Sequence, residues 1–350
     1  MLKVSVIGHF GFGQEVLNGQ TVKTKILTEE LERSLGADSV KKIDTHGGAK
    51  RLLTIPFSVW KALKSSENVI MLPAHNGLRV IAPIMIFFNR FFKRKLHYSV
   101  IGGWLPSFIE SRHRLEKSLK KFDNIYVETT TMKRALEARG FSNITVVPNC
   151  KELNVLSEDE LSYEYSEPYR LCTFSRVMKE KGIEDAIDAV RSVNERLGRT
   201  VFSLDIYGPV DPSQTEWFDS LKESFPEYVS YGGSVPFDKS VEVLKDYFAL
   251  LFPTRFYTEG IPGTVIDAYA AGVPVISAKW ESFADLVDEG ITGVGYKFND
   301  RTDLEQVLYN ISTNCNGILS MKKECLIKAK RYVPEVAVKV IIEKINQELS

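Results

Sequence analysis

The sequence predicts an α/β protein built from two doubly wound, Rossmann-like lobes. Short apolar strand candidates alternate with helical stretches along the 350 residues, which is the pattern of parallel sheets with helical crossovers. A polar, acidic stretch with little apolar periodicity, residues 151–168, interrupts the alternation near the middle of the chain. The length suits two domains of ordinary size, each able to bury its own core.

The N-terminal lobe is expected over residues 1–155. It opens on a β-rich run, residues 3–7, which Gly8 closes and which is interpreted as a first strand. Residues 1–8 contain a single lysine and only a short apolar run, which is not the pattern of a signal peptide. A helical pattern follows over about residues 21–35. The remaining strand and helix candidates of this lobe are residues 40–43, 52–63, 69–72, 96–101, 125–127, 132–139 and 144–147.

The C-terminal lobe is expected over residues 165–333. Its strand and helix candidates are residues 171–175, 182–196, 202–207, 229–231, 249–253, 263–271 and 275–277. Doubly wound sheets bind ligands at the carboxyl ends of their strands. Two such lobes therefore predict a ligand-binding cleft between them.

Composition narrows the classes of partner. Lys plus Arg equals Asp plus Glu at 45 each, so no global field steers the protein onto nucleic acid, and none is expected to bind. No window supplies the roughly 18 apolar residues of a membrane span. The four cysteines lack metal-ligand or redox spacing and are expected to be buried thiols of a cytoplasmic protein; they are Cys150, Cys172, Cys315 and Cys325.

The most informative stretch is a loop and helix start after the buried strand candidate 249–253. The loop carries Glu259 and glycines at 260 and 263, and the helix opens at Gly263. Free N–H groups of Gly263, Thr264 and Val265, with the positive end of the helix dipole, would form an anion site suited to a pyrophosphate. Asp267, one turn further on, would accept hydrogen bonds from ribose hydroxyls. The alternative is an ordinary strand–loop–helix corner with an exposed acid.

Two cations form a second constellation. Arg176 follows the first strand of the C-terminal lobe, and Lys181 precedes the next helix. Both would overhang the carboxyl ends of the strands, where fixed cations and a helix N-terminus can neutralise a diphosphate leaving group. Taken singly, such residues are more often solvated surface charges. Together with the Glu259 loop they indicate a phosphate clamp.

These segments resemble the signature of the retaining glycosyltransferases of family 4 (glycosyl transferases group 1), which have the GT-B fold. The Arg-x4-Lys pair corresponds to Arg176 and Lys181, and the Glu-x7-Glu motif to Glu259 and Asp267, with aspartate in place of the second glutamate. The turn at Gly208 resembles the glycine turn near the nucleobase. The resemblance covers about residues 169–300.

The resemblance implies a role for each of these residues. Arg176 and Lys181 would hold the donor diphosphate, and Glu259 would contact the transferred sugar. Asp267 would contact the ribose, although its side chain is one methylene shorter than the glutamate of the family motif. It also implies retention at the anomeric carbon, no required metal or other cofactor, and a C-terminal helix over residues 334–350 that crosses back to the N-terminal lobe.

The glycine-rich segment after the first strand is a weaker signal. Gly8, Gly11 and Gly13 precede a further polar stretch and Gly19, whereas a dinucleotide fingerprint would place its glycines directly between strand and helix. An NAD site is therefore disfavoured. In the resembled family this loop covers the donor phosphates, which points to contacts from Gly19, Gln20 and Thr21. Thr21 alternatively caps the helix.

A histidine that many relatives carry after the strand at 96–101 is missing. Gly102, Gly103 and Trp104 stand there, where two glycines would admit a sugar to the backbone and the indole would stack on it. Replacement candidates exist by residue type only, and each is more often a structural histidine; they are His9, His46, His75 and His97.

A basic, aromatic-rich segment covers residues 79–98. It contains five Lys or Arg and no acid, which is typical of a patch that binds anionic membrane and inserts Phe and Met side chains. A buried crossover helix with a basic C-terminus explains the pattern equally well. Membrane contact would place the protein at the inner face of the cell membrane and favour a lipid-linked acceptor.

The leading hypothesis is a retaining glycosyltransferase that moves a hexose or N-acetylhexosamine from a nucleotide-diphosphate sugar, with UDP-sugars favoured. The acceptor would be a lipid-linked glycan of bacterial surface polysaccharide biosynthesis. A non-catalytic partner of the same fold that binds a nucleotide-sugar or glycan is the main alternative, supported by the altered second acid and the missing histidine. A sugar-nucleotide epimerase is a further alternative, but it would need clustered acids and histidines that this sequence lacks.

Overall fold

The computed structural model describes residues 1–12 and 19–347, with only the backbone of residues 48–52. Contacts divide the chain into two units. The first contains Met1–Glu152 and Tyr332–Ser350, and the second contains Leu153–Arg331. Gly13 and the end of the predicted C-terminal helix, residues 348–350, lie outside the described residues.

A six-stranded parallel sheet forms the centre of the first unit, in the order β2-β1-β3-β4-β5-β6. Its central strands are apolar on both sides, as expected for parallel strands covered on both faces. Val69 and Met71 point into one cluster of buried side chains, while Ile70 points into another. The strands are β1 (Leu2–Gly8), β2 (Val40–Asp44), β3 (Ser66–Met71), β4 (Lys95–Ser99), β5 (Asn124–Val127) and β6 (Ile144–Val146).

Helices cover the two faces of this sheet. The second and third helices supply Val59, Leu63, Ile81 and Met85 to one cluster, and the first helix supplies Leu31 to the other. Thr129 caps the sixth helix by accepting a hydrogen bond from the Met132 amide. The helices are α1 (Gly19–Leu35), α2 (Gly48–Ser65), α3 (His75–Phe92), α4 (Leu105–Ile109), α5 (His113–Leu119) and α6 (Thr130–Glu137).

The second unit contains another parallel six-stranded sheet, in the order β12-β11-β10-β7-β8-β9. Its strands are β7 (Tyr169–Phe174), β8 (Phe202–Tyr207), β9 (Val229–Gly233), β10 (Ala249–Phe252), β11 (Val275–Ala278) and β12 (Gly293–Tyr296). The last of these was not predicted, because Gly293 and Gly295 leave it without the apolar alternation of a strand.

Eight helices accompany this sheet in the described residues. Ile183, Ile187 and Val190 of the first one pack into the core together with Leu304 and Leu308. The helices are α7 (Ile183–Leu197), α8 (Thr215–Lys222), α9 (Ser240–Leu244), α10 (Gly263–Ala270), α11 (Phe283–Leu286), α12 (Arg301–Thr313), α13 (Asn316–Leu319) and α14 (Lys322–Ala329). The prediction of two doubly wound units is confirmed.

The C-terminal segment packs on the first unit. Val338, Ile341 and Ile345 share a buried cluster with Val4 and Val6 of β1. The predicted single helix is wrong in detail, because the chain forms two short helices, α15 (Pro334–Ala337) and α16 (Lys339–Asn346), which meet at Val338.

Two smaller expectations are also tested by the structure. Cys150, Cys172 and Cys325 are buried and free, as predicted, but Cys315 is partly exposed. No helix in residues 1–12 and 19–347 is long and apolar enough to cross a bilayer.

Candidate functional site

The strand order of the second unit locates a candidate site. β7 lies beside β10 in the middle of the sheet, and the strands added after each of them extend in opposite directions. The loops after these two strands therefore diverge and leave a crevice at the carboxyl edge, which is where doubly wound sheets bind ligands. The predicted cations follow β7, and the predicted acid loop follows β10.

Lys181 and Glu259 meet at this edge. The Lys181 ammonium donates hydrogen bonds to both carboxylate oxygens, at 2.9 Å to Oε2 and 3.1 Å to Oε1. Their side chains are only 15% and 18% exposed, so water screens this pair less than a surface pair. Thr254, which is buried, donates to Glu259 Oε2 at 3.1 Å. The structure thus brings together two residues that are far apart in the chain.

Close backbone packing holds these two segments together. Gly182 adopts a left-handed conformation with φ of 71° directly after Lys181, and a Cβ there would overlap the carbonyl oxygen of Pro253. The Lys181 ammonium also lies 5.6 Å and 5.0 Å from the ring centres of Phe252 and Phe256, within the range of cation–π attraction.

Three of these contacting residues were missed by the sequence analysis. Gly182 packs against Pro253, and Thr254 donates to Glu259, so both act through tertiary contacts. Phe256 lies in the loop that carries Glu259 and contacts Lys181. The one available signal was position, because Gly182 follows the predicted cation and Thr254 follows the end of the strand.

The start of α10 provides only part of the predicted anion site. The helix begins at Gly263, as predicted, but the Val265 amide donates to the Pro262 carbonyl at 3.1 Å. The prediction of a free N–H at Val265 is therefore wrong, because the first turn closes on Pro262. The Thr264 hydroxyl oxygen is buried without a hydrogen-bond partner among the described residues.

Asp267 and Arg176 differ in exposure. Asp267 lies one turn inside α10, as predicted, and is 4% exposed. Arg176 is 52% exposed, and its guanidinium lies 3.6 Å from the Asp211 carboxylate. The Lys181–Glu259 pair is thus the more buried part of the predicted clamp, while Arg176 extends into solvent.

Gly208 lies at the same edge of the sheet, after β8. Its φ is 131°, and a Cβ would overlap the carbonyl oxygen of Ser175, the residue before Arg176. Its carbonyl accepts a hydrogen bond from the Tyr231 hydroxyl at 2.9 Å. The predicted glycine turn is thus in contact with the segment that carries the first cation.

The predicted contact residues of the first unit lie at the switch point between β1 and β3. α1 includes Gly19, Gln20 and Thr21, so Thr21 lies inside the helix and the alternative role as its cap is wrong. The Thr21 hydroxyl contacts His9 Nδ1 at 2.8 Å. The side-chain amide of Gln20 donates from Nε2 to the Leu72 carbonyl at 3.1 Å. Gln20 and Thr21 thus make contacts within their own unit.

The described part of the loop after β1, residues 9–12, binds a carboxylate of the protein itself. Asp44 accepts hydrogen bonds from the amides of Phe10, Gly11, Phe12 and His46. Burial raises the pKa of Asp44, but these four hydrogen bonds outweigh it, and the pKa is lowered overall. The amides described in this loop, those of residues 10–12, thus already have an acceptor, which argues against a dinucleotide phosphate there.

The histidine candidates have local partners. His97 is fully buried between Tyr126 and Asn68, at 2.8 Å and 3.0 Å. His46 contacts the second ring nitrogen of His9 at 2.9 Å. His75 stacks on Trp104 with 3.8 Å between ring centres. His97 is thus a core residue, and the predicted role of Trp104 as a sugar platform stays a prediction.

The buried His97 predicts a pH dependence of stability. Burial, with Lys95 and Lys344 nearby, lowers the pKa of His97 to about 3, against about 6.5 in an unfolded chain. The unfolded state then binds more protons between these values, so stability is lost as the pH falls below about 6.5. The free energy of unfolding should drop by about 2 kcal/mol from pH 7 to pH 5 through this group.

Urea unfolding of the protein at the two pH values measures this effect. The variant His97→Gln should show a smaller difference than the unsubstituted protein, whatever its own stability. The matched control is His113→Gln, at a side chain that is 79% exposed, and it should keep the full difference. Equal differences in all three proteins would assign the pH dependence to other groups.

Comparison with known proteins gives this geometry a family context. The family model described as "Glycosyl transferases group 1" matches residues 168–314, which contain all the candidate residues of the second unit. The predicted resemblance to the group 1 glycosyltransferases is confirmed. The resemblance to group 1 glycosyltransferases is thus carried by the unit that contains the Lys181–Glu259 pair.

Two curated glycosyltransferases resemble the chain at the level of sequence. Alpha-monoglucosyldiacylglycerol synthase of Acholeplasma laidlawii is 28% identical over 184 residues, which are 50% of this chain and 44% of that protein. Amylovoran biosynthesis glycosyltransferase AmsK of Erwinia amylovora is 23% identical over 217 residues, which are 58% of this chain and 53% of that protein. The chain thus spans about half the length of these relatives.

A solved structure extends the fold comparison over almost the whole chain. HepE (Alr3699) of Anabaena, solved in complex with UDP, superposes with a TM-score of 0.76 at 14% identity and covers 98% of this chain and 99% of its own. At this identity the comparison concerns the fold, and the predicted GT-B fold is confirmed.

Proposed function

We propose that the protein is a retaining glycosyltransferase that takes a hexose or N-acetylhexosamine from a nucleotide-diphosphate sugar, with UDP-sugars favoured. The acceptor would be a lipid-linked glycan in bacterial surface polysaccharide biosynthesis. The observation that carries the proposal is the half-buried Lys181–Glu259 pair at the switch point of the second unit. A cation held at the carboxyl edge of a doubly wound sheet suits a phosphorylated ligand.

The donor diphosphate would be neutralised by the protein alone. The Lys181 ammonium has three N–H donors, so it can bind a phosphate oxygen while it remains paired with Glu259. The amides of Gly263 and Thr264 at the start of α10 add the positive end of a helix dipole. The exposed Arg176 would supply a second positive charge to the diphosphate. These groups favour departure of the nucleoside diphosphate without a metal ion or other cofactor.

Glu259 would orient the sugar, because Lys181 and Thr254 fix its carboxylate. Asp267 would serve the ribose from α10. The acceptor oxygen forms a bond to the anomeric carbon on the face from which the diphosphate leaves, and its proton passes to the departing diphosphate. Retention of configuration follows from attack on this face.

The relatives support the donor and the acceptor classes. HepE was solved with UDP, and a further structure of it contains UDP-glucose. The name of the Acholeplasma relative specifies a diacylglycerol lipid. These properties belong to those proteins, and for this chain the UDP-sugar donor and lipid-linked acceptor are proposed.

Thermal stabilisation by a nucleotide panel tests the proposal. A bound donor at a hundred times its Kd should stabilise the protein by about 2.7 kcal/mol. We expect this shift with at least one UDP-, GDP- or ADP-sugar in the presence of EDTA, and little shift with the matching nucleoside, which lacks the diphosphate. Absence of a shift with every nucleotide-sugar would refute the donor site.

Product analysis then separates an enzyme from a non-catalytic partner. The stabilising donor is incubated with a lipid-linked glycan, and the anomeric configuration of the product is determined by NMR. We expect a product with the configuration of the donor. An inverted product would contradict retention, and binding without any product would favour the non-catalytic alternative.

A further inference from the structure

Helices α2 and α3 of the first unit expose large apolar side chains that the proposed transfer reaction does not use. Leu53 is 85% exposed, Phe57 is 71% exposed, and Phe91 is 68% exposed. Phe87 and Trp60 are 53% and 38% exposed. We call these five residues the aromatic face. Exposed apolar side chains are ordinary when scattered, whereas a contiguous group indicates an interaction surface.

The aromatic face is contiguous. Leu53, Phe57 and Trp60 are spaced by four and three residues and therefore share one side of α2. Trp60 connects this stripe to α3, since its ring lies 6.5 Å from that of Phe91. Phe91 in turn lies 6.3 Å from Phe87 on the same helix.

The charged residues of α2 and α3 are all basic. Neither Gly48–Ser65 nor His75–Phe92 contains an acid. Five exposed cations lie on or directly after the two helices, and none of them is in an ion pair within residues 1–12 and 19–347; they are Lys61, Lys64, Arg79, Arg90 and Lys93. The Arg90 guanidinium lies 5.9 Å from the ring centre of Phe87, so charge and aromatic surface are adjacent.

Exposed apolar side chains next to exposed cations favour one kind of partner over another. A second copy of the same face would place two sets of cations against each other without acids to pair them, which costs binding energy. An anionic lipid surface supplies phosphates for the cations and an apolar boundary for the rings. We propose that the aromatic face docks on an anionic bilayer, with its apolar side chains at the headgroup–acyl boundary and the cations among the lipid phosphates.

The structure also resolves the two interpretations of the segment 79–98. Ile81 and Met85 lie on the buried side of α3 and are core residues. The prediction that Met85 inserts into a membrane is therefore wrong. Phe87 and Phe91 lie on the exposed side of the same helix. Residues 95–98 belong to β4. The segment is thus a crossover helix with one exposed aromatic side, and α2 supplies the remainder of the face.

Vesicle sedimentation tests the docking proposal with the full chain. Vesicles contain equal amounts of phosphatidylglycerol and phosphatidylcholine, and a second set contains phosphatidylcholine alone. We expect binding to the anionic vesicles that high salt weakens, because the charge term is screened. Equal binding to both kinds of vesicle, or no binding to either, would overturn the proposal.

Two variants assign the binding to the aromatic face. Phe87→Ser with Phe91→Ser should lower the partition coefficient by about tenfold or more, and Lys61→Gln with Arg90→Gln should lower it about fivefold per charge. The controls Ile291→Ser and Ile327→Ser change side chains of the second unit that are 51% and 46% exposed, and they should bind like the unsubstituted protein. Equal losses in controls and variants would overturn the assignment.

Two further measurements keep the result separate from the transfer reaction and from dimer formation. Stabilisation by the nucleotide-sugar should be unchanged in the Phe87 and Phe91 variant, which shows that the protein is folded and that docking is independent of the donor site. Analytical ultracentrifugation should give a monomer for both proteins. If the unsubstituted protein forms a dimer and binds no vesicles, and the double variant is a monomer, the face joins two copies and lipid docking is refuted.

Discussion

Replacement of Lys181 by alanine is expected to lower kcat/KM for glycosyl transfer by about 10²–10³-fold. The side chain contributes a fixed cation at the carboxyl edge of the second sheet, and it also holds both oxygens of Glu259. In the proposed reaction, its removal would take away charge that stabilises the leaving diphosphate and would free the carboxylate proposed to orient the sugar. Donor-dependent product formation by the purified variant measures the effect.

The matched control is Lys179→Ala, two residues earlier in the same turn. Lys179 is exposed, and its ammonium lies 5.7 Å from the Trp217 ring, so it shares the local charge but not the contact with Glu259. This variant should retain activity within a few-fold. Turnover that survives Lys181→Ala, or that falls equally in both variants, would contradict the assignment of Lys181 to the clamp. Circular dichroism and thermal unfolding confirm that the compared proteins are folded.

Much of this site could be predicted because its signals are local in sequence. A strand followed by cations, and another strand followed by an acid and two glycines, fix which residues emerge at the carboxyl edge of a parallel sheet. The strand order then brings β7 beside β10, so Lys181 meets Glu259. The family resemblance supplied the proposed roles, and the alternation of strands and helices predicted the two sheets.

The parts that were missed depend on tertiary contacts. The Val265 amide was expected to face a ligand, yet the first turn of α10 closes on Pro262. The hydrogen bonds from the amides of the first glycine loop to Asp44 could not be predicted, because Asp44 lies on the neighbouring strand β2. The aromatic face was missed on α2 because apolar periodicity does not distinguish a buried stripe from one that remains exposed.

Gly182→Ala is expected both to destabilise the second unit and to lower the activity of the candidate site. Its φ of 71° is strained for any residue with a Cβ, at a cost of about 1–2 kcal/mol. The added methyl would also overlap the Pro253 carbonyl oxygen, so the backbone around Lys181 or Thr254 must shift. We expect a total loss of about 2–4 kcal/mol in the free energy of unfolding, together with a fall in kcat/KM of about 10²-fold.

Gly198, at the other end of α7, separates backbone strain from overlap. Its φ is 65°, close to that of Gly182, but a Cβ there would meet nothing within 4 Å. Gly198→Ala should therefore cost only the strain, about 1–2 kcal/mol, and leave kcat/KM unchanged, since α7 keeps its N-terminal end against Pro253. Urea unfolding and donor turnover of the two variants measure both quantities. If both alanines lower stability and activity alike, strain in the helix α7 as a whole, rather than the contact of Gly182 with Pro253, positions Lys181 beside Glu259.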